Sequence, residues 1–181
     1  MNAATIDWLN RLPEADARDA FRRCCGAGWW CDRMAASRPF ADPAAVTAAA
    51  DWAFDAMPTP AWLEAFAAHP KIGDLDSLRM KYAGNREWSG GEQAGVAAAD
   101  ESVLHRLADG NTRYEDRFGY IFIVCASGKS AVEMLALLDA RLDNDPAAEL
   151  PIAAAEQRKI THLRLAKLAP PELSAPGSAG G

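Results

Sequence analysis

The chain has 181 residues, enough for one domain that buries a core without disulfide or metal staples. Half of its residues are apolar, its formal charge is -6 and its pI is near 5.1, so no basic field exists to release counterions from nucleic acid, and an anionic ligand would need a local arginine. The four cysteines, Cys24, Cys25, Cys31 and Cys125, form neither C-x-x-C pairs nor the spacing of a disulfide framework or zinc site, and are expected as free, mostly buried thiols.

The first residues, "MNAATIDWLNRLPEADARDAF", mix charged with apolar positions and contain no long apolar run, which predicts neither a signal peptide nor a membrane span and places the protein in the cytoplasm. Helix starts then recur, each a capping side chain followed by proline at the first helical position: Asp42-Pro43, Thr59-Pro60 and Asp145-Pro146. The six tryptophans are expected in the core or lining a groove.

The helix opened at Thr59 carries Trp62, Leu63 and Phe66 and meets His69 directly before Pro70. Proline disfavours the α conformation in the preceding residue, so this helix is predicted to stop at or just before His69. A histidine fixed at a helix end, near the negative pole of the helix dipole and titrating near neutral pH, suits proton transfer. The same position also suits a simple C-terminal capping role, and the local sequence leaves both open.

Next comes "SGGEQ", residues 89–93. Ser89 and Glu92 match the S-x-x-E capping box, yet Gly90 and Gly91 fit a first helical turn poorly. Glycines at a helix start also let a ligand approach backbone N–H groups, so cap and ligand loop both remain. A long helix is predicted over residues 92–118. Beyond it, "YIFIVCA", residues 120–126, is short, β-branched and aromatic. One strand builds no sheet, so this run is expected as a buried extended segment whose backbone groups must find partners, a polar ligand among them.

"ASGKS", residues 126–130, carries the end of a phosphate loop but has Ile123 where the first glycine belongs, which excludes a nucleotide site. Ser130 and Glu133 form a capping box for a helix with Met134, Leu135, Leu138 and Leu142 at helical spacing. His105 and His162 lie among charged residues and are expected at the surface. In "KITHLRLAKL", residues 159–168, Arg164 stands between Ile160 and Leu168 on one helical stripe. It would either snorkel to water or a carboxylate, or present its planar fork to a carboxylate or urea-like oxygen. The final "APPELSAPGSAGG" loses all periodicity, so residues 170–181 are expected as a disordered tail behind a folded part at 1–169. The fold class is therefore all-α, a single compact domain of about seven or eight helices with one short extended segment, a count set by the cap and period signals.

Taken together, "RPF" at 38–40, "HPKIGD" at 69–74, "SGGEQ", "FGYIFIVCASGKSA" at 118–131 and "KITHLRLAKL" resemble, in order and spacing, the family of 2-oxo-4-hydroxy-4-carboxy-5-ureidoimidazoline (OHCU) decarboxylases of uric acid breakdown. The resemblance implies an all-helical homodimer that decarboxylates OHCU to (S)-allantoin without metal or organic cofactor. It implies a catalytic role for His69 and Glu92, and substrate contacts at Pro70, Ser89, Gly90, Gly91, Glu92 and Gln93. Phe122, Ile123, Val124, Cys125 and Ala126 would contribute largely through backbone groups, and Arg164 would match the family's helix arginine. Many members carry proline where this chain has Ile121, and the stretch from His69 to Ser89 looks longer than in animal members. Other readings are a hydrolase or racemase of a related ureide, or a helical scaffold for purine-catabolic enzymes.

Overall fold

The computed structural model describes residues 1–70, 75–82 and 93–171, of which Lys81 and residues 93–100 are described by backbone alone. Among the described residues there are nine helices and no strand: α1 Ala3–Arg11, α2 Glu14–Arg22, α3 Gly28–Ala36, α4 Pro43–Asp55, α5 Thr59–Ala67, α6 Leu75–Tyr82, α7 Gln93–Phe118, α8 Ala131–Leu142 and α9 Pro146–Lys167. The all-α expectation holds. The count exceeds seven or eight because Pro13, which has no N–H to donate, divides the N-terminal segment into α1 and α2, and because α6 has no proline-marked start.

Most of the start signals work as expected. Asp42 accepts from the Ala45 N–H at 2.8 Å, Asp145 accepts from the Ala147 N–H at 2.8 Å, and Ser130 with Glu133 closes a complete capping box. Thr59 departs from expectation. It is the first residue of α5 rather than its cap, because the Pro58 carbonyl already accepts the Trp62 N–H and starts the helix one residue earlier. The proposed cap at Ser89 and Glu92 lies outside the described residues.

The chain forms two compact units, Met1–His69 with Glu156–Gly181, and Pro70–Ala155. In the first, α3 packs against α2, α4 and α5. Phe21, Trp30, Phe54 and Trp62 form its aromatic centre: Trp30 stacks on Phe54 and Phe54 on Trp62, both at 5.3 Å, while Phe21 meets Trp30 edge-on. Each ring contributes a large buried area beyond its geometric preference. Trp52 differs from the tryptophan expectation, since it is 60% exposed on α4 beneath the Arg33 guanidinium. The residues at 38–40 also serve packing: Arg38 donates to the carbonyls of Leu9 and Leu12 at the end of α1, and Phe40 pairs its backbone with the Asn10 amide. All four cysteines are free and buried. Burial pushes the thiols of Cys24 and Cys31 up to about 12 and that of Cys25 to about 11, which leaves them protonated and unreactive at neutral pH.

In the second unit, α7 packs along α8 and against α6 around Leu78, Leu104, Leu107, Tyr114, Leu135 and Leu138. The contact is close: a methyl at Gly110 would lie 2.6 Å from Leu138 Cδ2. Residues 121–126 form neither helix nor strand and pack against this core, with Ile123 and Cys125 buried and Phe122, Val124 and Ala126 half-buried. The folded part reaches slightly past Ala169, for Pro170 is buried; residues 172–181 of the expected tail lie outside the described residues.

Candidate active site

The position of His69 is built from both sides of a turn. The helix α5 ends at Ala67, and the His69 N–H closes the last turn onto the Phe66 carbonyl at 3.1 Å, just before Pro70. Ala68 rests on Gly26, where an added methyl would come within 2.1 Å of the Ala68 Cβ. Glu64, one turn earlier, accepts from the Gly28 N–H at 3.2 Å and so supplies the cap that α3 lacks of its own. These two ties hold the end of α5 against the turn between α2 and α3.

From there the half-buried His69 ring reaches α9, where its Nε2 lies 2.6 Å from Gln157 Oε1. Gln157 is fully buried, and its own Nε2–H donates to the equally buried Thr161 hydroxyl at 3.2 Å. Arg164 follows one turn later and donates to the Cys24 carbonyl at 3.2 Å, near the carbonyl end of α2. Its guanidinium is otherwise exposed and its charge is felt at His69. Two sequence-predicted residues, His69 and Arg164, thus share one electrostatic neighbourhood.

The helix dipole alone would raise a histidine at this end. Burial wins instead and holds the His69 imidazole below its ordinary 6.5; the bond to Gln157 works the other way, and Arg164 adds to the lowering. A neutral ring at neutral pH is the form that accepts a proton.

The segment at 120–126 belongs to the second unit and is held by a buried ion pair. Arg141 donates to Glu149, to the Tyr114 hydroxyl at 3.2 Å and to the Ile123 carbonyl at 2.8 Å, and its guanidinium lies 4.7 Å from the centre of the Phe122 ring. Tyr114 and Asn144 satisfy the remaining demands of the fully buried Glu149 carboxylate. Lys129 takes the Cys125 carbonyl through Nζ and the Ala126 carbonyl through its backbone N–H. The chain itself therefore supplies many of the partners that this segment was expected to need.

Of the remaining candidates, Pro70 is exposed, Gln93 begins α7 and is described by backbone alone, and Ser89, Gly90, Gly91 and Glu92 lie outside the described residues. His105 is exposed as expected, whereas His162 is half-buried with its Nε2 2.7 Å from Asp51. Among the described residues no group of three or more His, Cys, Asp or Glu side chains gathers as a metal site would require. Sequence reasoning missed Gln157 and Thr161. Their signal was present, because positions 157, 161 and 164 fall at i, i+4 and i+7 and place two buried polar residues on the face that carries the arginine.

Residues 10–166 match the family model of OHCU decarboxylase. The chain belongs to the OHCU decarboxylase family. It is 41% identical over 150 residues to the uric acid degradation bifunctional protein TTL of Arabidopsis thaliana, covering 83% of this chain and 46% of that protein, and so spans about half of that relative's length. It is 33% identical over 130 residues to the OHCU decarboxylase of Amia calva, covering 71% of this chain and 73% of the relative. Its fold is similar to the crystal structure of an OHCU decarboxylase in the presence of (S)-allantoin, with a TM-score of 0.67 and 37% identity over 83% of this chain and 96% of that one. Membership of the OHCU decarboxylase family accords with the all-helical architecture, and no helix among the described residues is long and apolar enough to cross a membrane.

Proposed function

We propose that this protein is a carboxy-lyase that converts OHCU to (S)-allantoin in uric acid catabolism, with His69 as its acid/base. The observation that supports the reading best is the His69 ring itself, held neutral by burial at a rigid helix end and near Arg164, in a chain of the OHCU decarboxylase family. Loss of carbon dioxide leaves an electron pair on the ring carbon, which the substrate delocalises into its own adjacent C=N system, so that the protein has only to position and protonate. His69 exchanges a proton with the substrate hydroxyl or the developing enol. Glu92 and Gln93 hold ureido and ring N–H groups, with Pro70, Ser89, Gly90 and Gly91 lining the same ligand. Backbone groups between Phe122 and Ala126, with the fork of Arg164, stabilise oxygen charge. Delivery of the proton from one side sets the (S) configuration. The protein works without a cofactor, as a homodimer in the cytoplasm.

The test is direct. OHCU is generated in place from urate with uricase and the hydrolase that follows it, and its ultraviolet decay and carbon dioxide release are followed with and without this protein. Acceleration of both is expected. Decay at the spontaneous rate in the presence of folded protein would overturn the proposal and favour a binding role or another ureide as substrate.

A further inference from the structure

Gln157 on α9 meets the His69 ring through a hydrogen bond, and it does so from full burial. Its amide is oriented with Nε2–H towards Thr161 Oγ1 at 3.2 Å and Oε1 towards the His69 Nε2 at 2.6 Å. An oxygen acceptor at that distance requires a proton on Nε2. A neutral imidazole with its proton on Nε2 carries its lone pair on Nδ1.

We infer that Gln157, backed by Thr161, is a positioning residue that fixes His69 as the Nε2–H tautomer and so makes Nδ1 the nitrogen that exchanges the substrate proton. The inference rests on the reading of His69 as the acid/base, but its first test does not require catalysis. The chain has three histidines, so ring 15N spectra of the labelled protein at a pH where His69 is neutral can be assigned by subtraction with His69→Ala. The expected spectrum has a protonated Nε2 and an unprotonated Nδ1 at His69. A protonated Nδ1, or a mixture of the two tautomers, in the unaltered protein overturns the inference.

Kinetics supply the second test. Gln157→Leu should lower kcat by roughly 10- to 100-fold with KM within about twofold, and give mixed tautomers, because only proton transfer and not substrate affinity depends on the tautomer. Gln157→Glu keeps an acceptor in place and should retain the Nε2–H tautomer and recover part of the lost kcat; its circular dichroism, with that of Gln157→Leu, reports folding. Unchanged kcat in folded Gln157→Leu, while His69→Ala is inactive, would overturn the role of Gln157 alone. Full turnover in His69→Ala would instead remove the acid/base reading on which it rests.

Discussion

His69 shows how competing effects decide one residue's chemistry. Its place before Pro70 fixes the backbone, and its place at a helix end would favour the cation, yet desolvation is the larger effect and lowers its pKa. The sign follows directly: the neutral base persists to lower pH than in a free imidazole, so the acid limb of kcat/KM should fall below 6.5. The same group contributes stability that is fully present above its unfolded value and is lost as pH falls through the lowered folded value. A pH–rate profile checks the first statement, and an acid limb at or above 6.5 would contradict it. Replacing the ring, His69→Ala, should reduce turnover on the order of 100-fold or more with the fold retained. The candidate residue was legible because proline punctuates the chain beside it. Its partner Gln157 was not singled out, because a buried glutamine looks in sequence like any solvated one; only its helical register with Thr161 and Arg164 marks it.

At the scale of elements, capping pairs located helices well, and Asp42, Ser130 and Asp145 all cap as their side chains allow. Tertiary ties were harder to read. The Gly26–Ala68 contact joins the end of α5 to the turn before α3, and no local rule relates residues so far apart. Gly26→Ala would drive one methyl into another that has no rotamer to escape by, destabilising the protein by about 1–3 kcal/mol in urea unfolding and lowering kcat through displacement of His69. The double variant Gly26→Ala with Ala68→Gly should recover most of both; no recovery would show that the contact is not what holds the helix end. The Arg141–Glu149 pair is a second such tie, eight residues apart across a helix boundary, and it anchors the Ile123 carbonyl and the Phe122 ring. Arg141→Met leaves a fully buried carboxylate without its cation and should lose about 3–5 kcal/mol of stability, measured by the same unfolding. A loss below about 1 kcal/mol would mean that Tyr114 and Asn144 suffice for Glu149.

For the whole molecule, periodicity and caps gave the all-α class, while the proposed substrate came into view only through the combined resemblance of five short motifs. That limit is physical: helical periodicity reports which faces are buried, and the same His, Glu and Arg could serve several ureides. The partition of α9 between two compact units likewise leaves no mark, since residues 152–160 run on without glycine or proline. A proton delivered by a histidine fixed on one side of the substrate is expected to give one enantiomer. The decisive measurement is therefore the circular dichroism of allantoin formed from freshly generated OHCU, with the unaltered protein and with His69→Ala. Optically active (S)-allantoin from the former and racemic product at the spontaneous rate from the latter is the expected result. Racemic allantoin from the unaltered, folded protein, or an undiminished yield of the (S) product from His69→Ala, would contradict it.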